Sequence, residues 1–162
     1  MSIDIEFACD ASGLPAENEV REWVQGALPA GREQAEVSVR IVDEAEARAL
    51  NEQFRSKTYA PNVLSFPADL PPGLDLDILG DIALCAPVAL AEAHDQHKSN
   101  RQHFAHLLIH GTLHLLGFDH EREDDAETME QAEREILATF GFPDPYLVTA
   151  DTDACARSVD AR

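Results

Sequence analysis

His110 and His114 stand four residues apart in "HFAHLLIHGTLHLLGFDH", residues 103 to 120. On a helix this offset stacks the two imidazoles on one face with Cβ atoms about 5–6 Å apart, so both can hold one zinc ion. His106 continues the same row, but a rise of about 1.5 Å per residue sets it about 12 Å from His114 along the axis. One ion with Zn–N bonds of about 2.0–2.1 Å cannot take both. A third ligand must come from chain that has left the helix. Gly117 can end the helix as a left-handed cap, and His120 can then turn back. Three neutral nitrogens leave the fourth tetrahedral position to water, the pattern of a catalytic rather than a structural site. His103 and His106 read equally as packed or solvated side chains and as groups that support the ligands or touch substrate.

The spacing HxxxHxxGxxH is also that of the metzincin proteases, with one difference, at Gly111. The protease glutamate at that place moves a proton from the attacking water to a poor amine leaving group. Glycine can do neither. A phosphodiester asks for something else, because charge builds on phosphoryl oxygens and a leaving alkoxide that a metal and an arginine stabilise directly. Gly111 thus shifts the expectation from an amide towards a phosphate ester.

The elements that must position these residues are legible in outline. Ile3, Ile5 and Phe7 alternate as a strand does, and so do Val37, Val39 and Ile41. Between them Val20, Trp23, Val24 and Leu28 share one helical face. A further helix is expected from Asp43, with Glu46 as its capping-box partner, towards Phe54. "YAPNVLSFP" reads as a short strand, "ADLPPGLDLD" as a loop, and "ILGDIALC" as a strand whose glycine marks a bulge or a close backbone approach. Two helices follow, broken near Ser99 and Asn100, and the second carries the histidines. A last helix, Asp124 to Phe140, has an apolar face of Met129, Ala132, Ile136 and Phe140 and is closed by Gly141 and Pro143. The expected fold is α+β with an α/β-like character: a small mixed sheet of about four strands covered by helices, with the zinc-binding helix followed by a glycine turn. Residues 1–150 form one domain in this reading, and residues 151–162 a flexible tail.

Composition narrows the class. The chain has 162 residues, 44% of them hydrophobic and 27% charged, close to the globular average. No apolar run reaches the length of a membrane span, and "MSIDIEFACD" lacks the basic flank and apolar core of an export signal, so a cytoplasmic protein is expected. Cys9, Cys85 and Cys155 are widely spaced and form no CxxC pair, which fits a reducing compartment. The net charge of −19 argues against a broad polyanion-binding face, yet it is unevenly spread. From Ile82 to Phe118 the only carboxylates are Glu92 and Asp95, against Lys98, Arg101 and six histidines.

Taken together, the histidine segment, "LNEQFRSKTYAPNVLSFP", "LGDIALC", "ME" at 129–130 and "DPY" at 144–146 closely resemble the YbeY family of ribosomal-RNA maturation endoribonucleases. The likeness runs from about Leu50 to Tyr146. It implies a zinc-dependent, single-strand-specific endoribonuclease that matures the 3′ end of 16S ribosomal RNA and serves ribosome quality control. It also implies one Zn(2+) per chain on His110, His114 and His120, and a functional arginine at Arg55. RNA, the ribosome, and a ribosomal or GTPase assembly partner are the partners it suggests; a membrane is not. The chain departs from the family pattern at Ala60, Asn62, Phe54 and Phe118, the last two of which remove a tyrosine hydroxyl. A guanidinium at 55 matches two phosphate oxygens with its fork of donors. Lys57 can hold an adjacent phosphate, with Lys98 and Arg101 as further candidates in the same groove. Asp119 is a candidate to orient a liganding histidine. Two other readings stay open: a metalloprotease with a displaced general base, and a non-catalytic assembly factor whose metal is structural. Attack by water and attack by the ribose 2′-hydroxyl are not separable at this level.

Overall fold

The computed structural model of the chain describes residues 2–10, 12–32, 34–70, 77–118 and 123–146. The alternating segments form β1 (Ser2–Phe7) and β2 (Glu36–Val42); "VLSFP" forms β3 (Val63–Pro67) and "ILGDIALC" forms β4 (Ile78–Cys85). The strand order is β1-β2-β4-β3, with β1, β2 and β4 parallel and β3 antiparallel to β4. Of the loop expected at "ADLPPGLDLD", residues 71–76 lie outside the described residues.

Gly80 meets both expectations set for it. Glu36 pairs with Ile78 and Val37 with Gly80, so the register skips Leu79 in a bulge. Gly80 has φ +140°, and a Cβ there would lie 2.2 Å from the Phe66 carbonyl, which only glycine tolerates.

Five helices pack around the sheet among the described residues. In α1 (Glu17–Ala27) Val20, Trp23, Val24 and Ala27 are buried, and the Trp23 ring meets Phe142 edge-on at 6.2 Å. In α2 (Glu44–Arg55) the Asp43 side chain accepts the Glu46 N–H at 2.9 Å. The Glu46 carboxylate does not return to Asp43. It takes the charged Arg40 Nε at 2.5 Å, so only half of the expected capping box closes. After α3 (Ala86–Asp95), Ser99 caps α4 (Asn100–Leu115) by accepting the Gln102 N–H at 3.0 Å, which is the break expected near Ser99 and Asn100. The last helix, α5, runs Glu123–Thr139. Its fully buried stripe is Met129, Glu133 and Leu137, spaced four apart, with Ala132, Ile136 and Phe140 only partly buried beside it. The buried face is thus rotated from the expected Met129, Ala132, Ile136 and Phe140 stripe, whose last three members pack at the edge of the core, and a carboxylate lies at the centre of the buried face.

Helix α4 is buried on nearly all sides, between β3, β4, α1, α3 and α5. Phe104, Leu107, Leu108, Ile109 and Leu113 are at most 2% exposed. At about 1.5–3 kcal/mol for each large apolar side chain, these five contribute on the order of 10 kcal/mol before chain entropy is subtracted. The helix that carries the histidines is therefore a rigid mount. The opposite face of the sheet shows Asp4, Glu6, Ser38, Arg40 and Asp81 to a half-open cavity of about 520 Å³ beside α2. No described helix is long and apolar enough to cross a membrane.

Candidate active site

The last turn of α4 presents His110 and His114 together. Their Nε2 atoms are 3.1 Å apart, and His110 is 6% exposed while His114 is half-buried. Two Zn–N bonds of about 2.0–2.1 Å meeting at a tetrahedral angle separate their nitrogens by roughly 3.3 Å, so this pair fits a shared ion. The helix then ends as foreseen. Gly117 has φ +102°; its N–H donates to the His114 carbonyl at 3.0 Å, and the Phe118 N–H donates to the Leu113 carbonyl at 3.0 Å. These two bonds make a Schellman cap, which turns the chain sharply just past the pair. His120, the expected third ligand, and Asp119 lie outside the described residues. Among the described residues no group of three His, Cys, Asp or Glu side chains is placed to hold one ion.

Glu133 supplies what the histidine row needs from behind. Its Oε2 accepts from His110 Nδ1 at 2.5 Å, and its side chain is fully buried. Its Oε1 accepts the Tyr146 hydroxyl and lies 3.4 Å from His106 Nε2. Burial pushes this carboxyl's pKa up, but the hydrogen bonds it receives from His106 and His110 outweigh the burial and hold the net value below the carboxylate range. Glu133 is therefore a carboxylate, able only to accept, and each neighbour must donate to it. With the His110 proton on Nδ1, the Nε2 lone pair points toward His114, the tautomer a metal requires. His106 is buried and its pKa is lowered, chiefly by desolvation, so it stays neutral. Tyr146 is pushed up by desolvation and by the Glu133 charge, so it keeps its proton.

Gly111 does not face this constellation. A Cβ there would meet Ser65 Oγ at 3.2 Å and Ile82 Cγ2 at 3.3 Å, because α4 lies against β3 and β4 at this point. The Ser65 hydroxyl donates to the Gly111 carbonyl at 3.1 Å. Residue 111 is a packing position, turned about 100° from its histidine neighbour. This explains the glycine where a zinc protease carries its glutamate.

Ser65 also receives Arg55. Arg55, exposed at the end of α2, donates from Nη2 to the Ser65 carbonyl at 2.7 Å and lies over the Phe66 ring, 5.9 Å from its centroid. That leaves four of its five N–H groups without a partner among the described residues. Ser56 then turns the chain with φ +57°, and Lys57 is exposed with no side-chain partner among the described residues. The two remaining cations sit elsewhere. Lys98 donates to the Pro145 carbonyl at 3.2 Å, and Arg101 bonds Glu19 at 2.5 Å and lies 5.8 Å from the Phe142 ring centroid. Arg101 starts α4 and His114 nearly ends it, roughly 20 Å apart along the axis. Arg55 is thus held on β3, while Lys98 and Arg101, beside and in the first turn of α4, are held against protein.

His103 serves the scaffold. Its Nε2 is 2.8 Å from Glu92 Oε1, and Glu92 also accepts from Asn62 Nδ2 at 3.1 Å. An aspartate at 62 would set two carboxylates against each other, so the asparagine here matches its neighbour. Sequence reasoning missed Glu133 and Tyr146 as site residues. The signal for Glu133 was a lone acid at the i+4 position between Met129 and Leu137; Tyr146 gave none apart from the family likeness.

Comparison with known proteins agrees with this architecture. The Endoribonuclease YbeY of Cellvibrio japonicus is 52% identical over 145 residues, 89% of this chain and 82% of that protein. The Endoribonuclease YbeY of Xanthomonas axonopodis pv. citri is 50% identical over 150 residues, covering 90% and 93%. The solution structure of TM1509 from Thermotoga maritima shares the fold, with a TM-score of 0.53 and 24% identity over 86% of this chain and 91% of that one. Residues 6–141 match the family described as Endoribonuclease YbeY, and the chain belongs to that family.

Proposed function

We propose that this protein is a zinc-dependent endoribonuclease that cuts single-stranded RNA during ribosomal RNA maturation, including the 3′ end of 16S RNA, and serves ribosome quality control. One observation carries the metal reading: the 3.1 Å approach of two imidazole Nε2 atoms, one of them oriented by a buried carboxylate. His110, His114 and His120 are the ligands in this reading, with one Zn(2+) per chain. When bound, the ion supplies Lewis acidity and an acidified water. The chain's own residues do the rest. Arg55 holds the scissile phosphate with its outward N–H groups and meets the charge that grows on the phosphoryl oxygens. Lys57 holds a neighbouring phosphate. Glu133 keeps the His110 proton on Nδ1. It is too deeply buried to reach substrate.

The packing of Gly111 against Ser65 and Ile82 favours this reading over a peptidase, because no proton-carrying side chain fits there. The net charge of −19 supports a basic partner that delivers RNA, such as a ribosomal protein, or a GTPase assembly factor, within the cytoplasm. Lys98 and Arg101, both engaged by protein, would have to exchange partners to serve RNA.

The test is cleavage of a labelled single-stranded RNA by protein of known metal content, beside His114→Ala and Arg55→Glu. Wild type is expected to cut, and each variant to lose about 100-fold or more while remaining folded. Equal cutting by all three would refute the assignment. Folded, metal-loaded wild type that leaves RNA intact would favour the assembly-factor reading. A 2′,3′-cyclic phosphate on the product would identify the ribose 2′-hydroxyl as the attacking group.

A further inference from the structure

We infer that Tyr146 is a positioning residue for the metal-binding histidines, and that residues 144–146 form a clasp that sets their affinity for metal. This rests on the reading of His110 and His114 as ligands. A carboxylate is rigid, so holding one oxygen aims the other. The Tyr146 hydroxyl holds Glu133 Oε1, and Oε2 is thereby aimed at His110 Nδ1, 2.5 Å away. Without that hydroxyl, the only remaining partner of Oε1 among the described residues is His106, at 3.4 Å. Glu133 would then turn toward His106 and loosen its hold on His110.

The segment bearing Tyr146 is held from several sides. Arg134 Nε donates to Asp144 Oδ2 at 3.1 Å, and the Tyr146 N–H donates to Asp144 Oδ1 at 2.8 Å. The Arg134 guanidinium lies 5.4 Å from the Tyr146 ring centroid, and that ring meets His106 edge-on at 5.4 Å. Lys98 reaches over from the α3–α4 turn to the carbonyl of buried Pro145. These contacts hold residues 144–146 against α5, α4 and the α3–α4 turn. They fix a phenol hydroxyl that has one strong acceptor, and that acceptor fixes a ligand.

The test uses the full-length protein, with Zn2+ affinity measured by competition against a chromophoric chelator and metal-free thermal melting measured in parallel. Tyr146→Phe and Arg134→Gln probe the clasp, and Arg32→Gln, which breaks a remote pair with Asp77, is the control. Tyr146→Phe is expected to weaken zinc binding about 10-fold and Arg134→Gln by a smaller factor, with Arg32→Gln unchanged. In the metal-free protein the His110 Nδ1 proton, seen by 15N-edited NMR, is expected to exchange faster in Tyr146→Phe. Wild-type affinity and an unchanged proton signal in Tyr146→Phe would overturn the inference. If Tyr146→Phe does not fold, wild-type affinity in Arg134→Gln does the same. A folded wild type that binds no zinc would instead refute the ligand reading beneath it.

Discussion

Replacing Gly111 tests the packing argument and the choice of chemistry together. Alanine in place of a mid-helix glycine gains about 1 kcal/mol of helix propensity. Against that, the new Cβ would stand 3.2 Å from Ser65 Oγ and 3.3 Å from Ile82 Cγ2, both tighter than relaxed contacts, with Ile82 Cδ1 touching at 3.4 Å. Overpacking of this kind costs about 1–3 kcal/mol, so Gly111→Ala should end about 1 kcal/mol less stable. The melting temperature of a domain this size should fall by about 2–4 °C. Ile82→Val removes Cδ1 and alone costs about 1 kcal/mol, but in the Gly111→Ala background it also makes room for the new methyl group. The double variant should therefore lose about 0.5 kcal/mol less than the two single losses added together.

Gly111→Glu goes much further. Its carboxylate would be forced between α4 and the sheet and would break the Ser65 hydrogen bond, for a loss of about 4 kcal/mol or more. Melting should fall by at least about 8 °C, and no peptidase activity should appear. Calorimetry or circular dichroism on metal-free protein reads the effect without interference from zinc. A Gly111→Glu protein that melts within about 2 °C of wild type would show that residue 111 does not face Ser65 and Ile82, and the explanation of the glycine would fail.

Arg55→Lys keeps a charge and loses the planar fork, so kcat/KM on single-stranded RNA should fall about 10-fold or more while melting stays put; unchanged kinetics would refute bidentate phosphate binding. If Lys57 neutralises one phosphate, Lys57→Ala should make the slope of log affinity against log salt shallower by about 0.7, read with an uncleavable RNA. An identical slope would remove Lys57 from the contact surface. Burial raises the Cys85 thiol from its ordinary 9.0 to about 11. Folding therefore favours the thiol form: this contribution is complete below pH 9 and is lost as pH rises through about 11. Urea melts should show up to about 3 kcal/mol of alkaline destabilisation that Cys85→Ala lacks. Equal pH profiles for the two proteins would contradict it.

How far the sequence could be read depended on the range of each interaction. The Asp43 and Ser99 caps, the Gly117 exit and the His110–His114 pair are all set within five residues, and all were legible. Even locally there was a limit, since Arg40 drew Glu46 away from its cap once β2 lay beside α2. On α5, both stripes obey helical periodicity, and only the packing against α4 showed that the buried one runs Met129–Glu133–Leu137. The same holds for the cations. Arg55, Lys57, Lys98 and Arg101 look alike in sequence, yet Glu19 and Pro145 take two of them while Arg55 is held by the Ser65 carbonyl of β3.

The sequence alone determined that two imidazoles would share one helix face, because the 3.6-residue repeat is a property of the backbone and acts wherever the helix forms. The tertiary structure decided what that pair can do. Glu133 reaches His110 across 23 residues, Ser65 reaches Gly111 across 46, and Tyr146 closes on Glu133 from 13 residues away. Such contacts depend on the angle at which packed elements meet, which residue types along the chain do not specify until the core has formed.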